Sequence, residues 1–410
     1  MGRSGDTKLL LLAATVASLL VASATNNVAL AQTSSSYSDP MPRLRGTLRL
    51  TPFYDTPVPL PSGRPGDLIR SQPFDEYDLS TGVSAVRILY HSVSARGEDV
   101  AASGVVLIPN KMPPPAGWPV IAWAHRFMAT ARPCAPSLSR ALNNGPFLSM
   151  YVNLGYAVVA TDYVGLGSDF RNAFVDLQSN ATDVIYSVQA ARQALRQLSS
   201  KWVAMGDGDG GAAALAVAEL QGYKPDPNYL GSVAVSGAID LKAEIGRLSE
   251  RDWQDGFAYL AYGIKTVYPQ FPLEDMLTPK GLARYTAVNQ TCSAPLPSPT
   301  PALSDMLKSG WQGNPFIRNF LERNTLGLRP TPVPLLIVNA EDSQAADSMA
   351  FRVVARMCAQ GDHIDFERYS GNETSGLIGA SVATQISWIK ARFAGQKAPN
   401  NCPEEFRISD

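Results

Sequence analysis

The sequence predicts an α/β protein, with a mostly parallel central sheet of about eight strands flanked by helices and a helical cap inserted late in the chain. Three observations predict it. Short apolar runs alternate with helix-length patterns over much of the chain. One of those alternations, Lys201 to Glu219, reads as strand, sharp turn and helix. Residues 241–329 then break the rhythm with helix-like, aromatic-rich stretches interrupted by prolines.

The chain has 410 residues, 45% hydrophobic and 17% charged. That suffices for one large domain with an insertion, or for two ordinary domains. The formal net charge is −1, without a basic run or acidic tail, which argues against nucleic acid or an anionic membrane surface as partner. Small uncharged or organic ligands are the expected partners.

Taken in order, residues 1–31 have the layout of a secretory signal peptide: Arg3 and Lys8, an apolar run from Leu9 to about Thr25, then Ala29-Leu30-Ala31 before Gln32. Cleavage after Ala31 is expected, giving a secreted or periplasmic product. An uncleaved anchor is the alternative, disfavoured by a run slightly short for a span. No later segment is apolar enough to cross a bilayer, so stable membrane insertion is not expected. Residues 32–75, rich in Ser, Pro and Gly, read as an extended N-terminal arm.

Residues 76–240 form the first part of the predicted core. Strand-like runs lie at 85–92, 101–109, 118–125, 156–162, 202–205 and 232–236, with helices at 145–153, 180–198 and 211–221. The first two runs flank a short loop containing Gly97 and should pair antiparallel. After the cap, residues 330–410 supply strands at 334–339 and 364–369 and helices at 348–360 and 377–393. Right-handed βαβ units follow, with ligand sites at the carboxyl ends of the strands. In the cap, Trp253, Phe257, Tyr259, Tyr262, Tyr268, Phe271, Trp311 and Phe316 either line an apolar pocket or build a small core of their own. Pro295 to Pro301 reads as a stiff linker.

Four cysteines in an apparently exported chain suggest two disulfides rather than a metal site. Three pairings are possible; Cys134 with Cys292 and Cys358 with Cys402 is the favoured one. Glycosylation sequons begin at Asn180, Asn289 and Asn372 and matter only in a eukaryotic secretory pathway.

The stretch around Gly206-Asp207-Gly208-Asp209-Gly210-Gly211 has the frame of a nucleophile elbow, in which Gly-x-Ser-x-Gly raises a serine hydroxyl above the sheet. Here the middle position is Gly208, which has no side chain. With Trp118-Pro-Val-Ile-Ala-Trp-Ala-His125, Arg132-Pro-Cys-Ala-Pro-Ser137 and Asn153-Leu-Gly-Tyr-Ala-Val-Val-Ala-Thr-Asp-Tyr-Val-Gly-Leu-Gly167 in order before it, the chain resembles the secretory lipase family of α/β-hydrolases over roughly residues 75–396. The resemblance implies an α/β-hydrolase fold, a cap over the active site, and ester hydrolysis of lipids or similar acyl substrates by a Ser-His-Asp triad.

Each position that the resemblance implies is substituted. Gly208 stands for the nucleophile. Ser343 stands where the acid belongs, beside Asp342 and near Asp347, and Thr374-Ser375-Gly376 stands for His-x-Gly. After His125, the loop expected to continue with glycine and small residues continues Arg126-Phe127-Met128-Ala129, and Asp207 and Asp209 flank the elbow where histidine and glutamine are usual. The two carboxylates add negative potential where an oxyanion needs donors. Loss of the serine or histidine alone costs about 10⁶ in turnover in a serine protease, and the remaining ~10³–10⁴ over water needs an intact oxyanion hole.

Substitutes are hard to find. The only histidines, His91, His125 and His363, read as structural. An aspartyl nucleophile would need the carboxylate at 208 rather than on either side of it. Asp207-Gly-Asp209-Gly fails the EF-hand spacing at Gly211, Ala212 and Ala218, so no metal is expected, and no cofactor. The two aspartates are expected instead to be solvated or to pair with Arg126 across the pocket mouth. The glycines of Val164-Gly165-Leu166-Gly167 read as turn residues. The favoured reading is a catalytically inactive exported protein that binds a lipid or acyl ligand. The alternatives are an active carboxylic-ester hydrolase with displaced catalytic groups, and an interaction protein that uses the fold as scaffold.

Overall fold

The computed structural model describes residues 46–245, 255–290, 292, 296, 302–340, 349–369 and 374–402. The predicted signal peptide, Trp253, most of the 295–301 linker, Asn372, and the acid-loop residues Asp342, Ser343 and Asp347 lie outside the described residues.

Nine strands form one sheet: β1 (Leu68–Phe74), β2 (Val83–Val93), β3 (Asp99–Pro109), β4 (Trp118–Ala124), β5 (Ala157–Thr161), β6 (Leu198–Asp207), β7 (Tyr229–Val235), β8 (Leu335–Ala340) and β9 (Ile364–Tyr369), in the order β1-β2-β3-β5-β4-β6-β7-β8-β9. The pairs β1–β2, β2–β3 and β3–β5 are antiparallel, and the pairs from β5 to β9 are parallel. The count of about eight therefore missed β1, which lies inside the stretch read as an extended arm. Its sequence, Leu-Ile-Arg-Ser-Gln-Pro-Phe, carries three exposed residues in a row, Ser71 to Pro73, and no apolar alternation. An edge strand needs neither, because one side of it pairs with nothing and tolerates proline.

Helices α1 (Gly145–Asn153), α2 (Leu177–Ala194) and α3 (Asp209–Gln221) precede the insertion; α4 (Leu241–Glu244), α5 (Gly256–Val267), α6 (Pro279–Ala287), α7 (Leu303–Met306) and α8 (Pro315–Arg323) lie within it; and α9 (Met349–Ala359), α10 (Thr374–Ala380) and α11 (Val382–Phe393) follow. The single helix expected over 377–393 is interrupted at Ser381. Its hydroxyl donates back to the Leu377 carbonyl at 2.7 Å, a bond of the kind that bends helices.

Both faces of the parallel sheet are buried, which is why its strands read as continuous apolar runs. Along β6, Trp202 and Ala204 pack with α2, α3 and α9, while Val203 and Met205 pack with α1, α10 and α11. A third cluster, including Phe257, Tyr262, Phe271, Ile317 and Phe320, is the cap's own core. Cys134–Cys292 and Cys358–Cys402 are both bonded, as favoured from the sequence, with Cα atoms 5.2 and 5.8 Å apart. The first bridge joins the loop after β4 to the cap. Asn180, by contrast, is buried within α2 and cannot carry a glycan on the folded protein, whereas Asn289 is exposed.

Candidate ligand site at the strand-to-helix turn

β4 and β6 are neighbours in the sheet, with Ala124 beside Gly206. From β4 the chain order runs one way to β5 and the other way to β6, so their carboxyl ends open a crevice at a topological switch point. His125 follows β4 there, and Gly208 follows β6.

The turn from β6 into α3 is built as an elbow. Gly208 sits at φ +59° and ψ −125°, a conformation that L residues rarely adopt. The flanking glycines are there for close approach: a Cβ at Gly206 would lie 2.1 Å from the Gly210 carbonyl oxygen, and one at Gly210 would lie 2.0 Å from that of Ala124. At Gly208 itself the space is open, since a Cβ would meet the Arg126 Cβ at an ordinary 3.5 Å. The mounting is intact and nothing fills its centre.

Arg126 reaches over this gap. Its guanidinium lies 2.7 Å from the Asp207 carboxylate, which is buried. Burial pushes the Asp207 carboxyl up from the usual range while the guanidinium pulls it back. The pairing expected of both aspartates thus holds for Asp207 only. Asp209 turns instead to the backbone: its Oδ2 accepts the Phe127 N–H at 3.3 Å, and its carboxylate also accepts its own N–H. Burial raises its pKa, and these amides, with the nearby Arg126 guanidinium, oppose the shift. In a serine elbow, the amide after the nucleophile and one from the loop after this strand together hold the oxyanion. Here a carboxylate of the chain itself lies on them.

The histidines are committed elsewhere. His125 is buried, with Nδ1 2.7 Å from the Arg126 carbonyl oxygen and Nε2 3.2 Å from that of Asp162, and its ring packs 4.3 Å from that of Tyr163. Burial pushes its pKa down. His91 on β2 lies 2.9 Å from Asp99 on β3, and His363 lies 2.8 Å from the Ala398 carbonyl oxygen just before β9. None of these ring-nitrogen partners is a serine. Ser236, after β7, has a positive φ of +51° and a buried hydroxyl without a partner among the described residues, and no imidazole binds it. Thr374 begins α10, so the position expected for the base opens a helix.

Two cavities flank the turn. One, a narrow one, is walled mainly by aliphatic side chains including Leu177, Ile239, Leu241 and Leu260; the other, also narrow, lies against His125, Phe127 and Leu166. Asp209, Phe174 and Val175 border both. The rings of Phe127, Phe174 and Tyr259 cluster there, with centroids 4.5–5.5 Å apart. Sequence reasoning named Phe127 and Tyr259 but missed Phe174 and the aliphatic residues of this wall. Of the aromatic cap residues it singled out, Phe257, Tyr259, Tyr262, Phe271 and Trp311 are buried in the cap core, with Tyr268 and Phe316 packed on it. The one available signal was the apolar triplet Ala173-Phe174-Val175, held by a positive φ of +50° at Val175.

A secretory lipase family model matches residues 144–401. A protein of Mycobacterium tuberculosis (strain CDC 1551 / Oshkosh) named "Probable inactive lipase" is 23% identical over 375 residues, covering 84% of this chain and 82% of its own length. Among solved structures, Candida antarctica lipase A is 20% identical with a TM-score of 0.75, over 88% of this chain and 89% of that one. The rice cell wall degrading esterase LipA of Xanthomonas oryzae, in a ligand-bound form, is 20% identical with a TM-score of 0.64, over 82% of this chain and 100% of that one. The similarity to these structures establishes the α/β-hydrolase fold.

Proposed function

The chain belongs to the secretory lipase family, and on that premise we propose that it is an exported α/β-hydrolase-fold protein that holds a lipid or acyl ligand without cleaving it. The observation that carries this reading is the elbow itself: its corner has the geometry of a nucleophile turn, and the residue at that corner is a glycine. There is then no atom at 208 to attack a carbonyl. The imidazole nearest in sequence to the turn has both nitrogens on backbone carbonyls, so it is poorly placed to take a proton. The side chains beside the turn are mainly apolar, which suits an alkyl chain better than a polar ligand.

Export is supported by the family and by two disulfides, which persist in oxidising compartments. Cleavage after Ala31 is part of the proposal. No helix among the described residues is long and apolar enough to cross a membrane. The test is turnover of p-nitrophenyl esters together with labelling by a fluorophosphonate probe. The expected result is no labelled serine and no hydrolysis above buffer. A labelled serine, or turnover well above buffer, would establish instead an active ester hydrolase with displaced catalytic groups.

A further inference from the structure

A groove of about 410 Å³ opens at the other end of α3, between its last residues, α2 and the loop before β7. α3 has 13 residues, so roughly 18 Å of helix separate this groove from Gly208. We propose that it is a second ligand site and that it takes aromatic carboxylates. Its size falls within the roughly 300–1,000 Å³ of small-molecule sites.

The polar lining has spent its acceptors and kept its donors. Asp226 Oδ1 accepts the backbone and side-chain N–H groups of Asn228 at 2.9 and 3.1 Å, and its Oδ2 accepts the Trp202 indole N–H at 2.8 Å. Gln221 Oε1 accepts the Asp226 amide at 2.6 Å. By contrast, Lys224 Nζ, Arg192 Nη1 and Gln221 Nε2 have no partner among the described residues. Arg192 is held by its other two nitrogens, Nε and Nη2, on the Ser199 and Ser200 carbonyls, which fixes the guanidinium before any ligand arrives. Burial pushes its pKa down and Asp226 opposes that shift, as an incoming anion would.

Two cations therefore stand beside one carboxylate whose oxygens are both taken. A group that only accepts hydrogen bonds and carries negative charge answers that set, and a carboxylate is such a group. A sugar gives hydrogens as well as taking them and would find few open acceptors. The apolar wall decides what carries the carboxylate. Tyr186 and Tyr223 line the groove, Tyr223 is 72% exposed, and neither ring packs on another aromatic ring among the described residues. Each leaves a face for a guest ring, worth about two- to tenfold in affinity per pair beyond the area buried. An alkyl chain lying in an open groove gains no such contact.

Isothermal titration calorimetry on the disulfide-intact chain at pH 7 and low salt, with trans-cinnamate, trans-cinnamamide and hexanoate, tests this. Cinnamate should bind at least tenfold more tightly than either of the others. Lys224→Gln, at an exposed position, should weaken cinnamate at least threefold and leave cinnamamide unchanged, whereas Tyr223→Ala should weaken both aromatic ligands at least threefold. Cinnamamide as tight as cinnamate on the unmodified chain would overturn the charge argument, and hexanoate as tight as cinnamate would overturn the aromatic one; either ends the proposal whether or not the variants fold. So would cinnamate that gives no binding heat at millimolar concentration, or that binds both variants as it binds the parent. Serine labelling at the turn bears on the non-cleaving reading alone and leaves this order of affinities as expected.

Discussion

At the scale of single residues, the cleft is decided by what stands at 126, 207, 208 and 209. Gly208 has room for a side chain, so its substitution is a question of backbone strain and missing partners rather than of clash. Gly208→Ser should fold, lose about 1–2 kcal/mol through its positive φ, and hydrolyse p-nitrophenyl esters no faster than the parent. Adding Ser343→Asp and Thr374→His should recover little. Only the further pair Arg126→Gly and Asp209→Gln, which frees the amides, should raise turnover, by about 10² if each recovered donor is worth what it is in other oxyanion holes. Strong recovery in the triple variant would refute the role given to the loop amides. The missing side chain at 208 was legible in the sequence, because the glycine frame fixes where the corner must fall. The destination of each aspartate was not. Two carboxylates one residue apart on either side of a sharp corner point in different directions, and only coordinates separate the one on Arg126 from the one on the amides.

At the scale of elements, the tight joint is where α3 lies against β4. Its helix begins with glycines and alanines because the backbone of Gly210 passes the Ala124 carbonyl at a distance that leaves no room for a methyl group. Gly210→Ala should therefore cost more than Gly208→Ala, by about 1–3 kcal/mol in urea unfolding, since one clashes with fixed backbone and the other only with φ. Equal costs would show that α3 can shift without penalty. The turn was readable from its glycines, but their reason was not: Gly206, Gly210 and Gly211 serve close approach of the backbone, and the positive φ falls on Gly208. β1 was not readable: it is recruited by its neighbour β2 rather than by any apolar rhythm of its own. Nor was the pocket wall, whose residues come from the loop before α2, from α4 and from α5, segments that sequence distance keeps apart.

At the scale of the whole molecule, several carboxyl groups are buried without a cation in contact, and their titration sets how stability varies with pH. Asp183, in α2, is buried and accepts from the Ser92 hydroxyl and the Val164 amide; burial pushes its pKa up to about 7. With the folded value above the unfolded one, the native state holds more protons between about pH 4 and pH 7, so the Asp183 contribution to stability is lost as pH rises through that window. Asp183→Asn removes the slope. Its stability relative to the parent should rise by about 2–4 kcal/mol from pH 4 to pH 8, whatever constant offset the amide introduces. A pH-independent difference in denaturant titrations would mean that this carboxyl titrates normally. Burial produces the shift and the hydrogen bonds from β2 and the turn after β5 oppose it, and the sequence alone offered no sign of either. The bridge from Cys134 to Cys292 has a different reach. While it stays oxidised, one point of the lid is riveted to the rim that bears Arg126. Any displacement of the cap from that rim would then pivot about the sulfur atoms, the one place where the two cannot part.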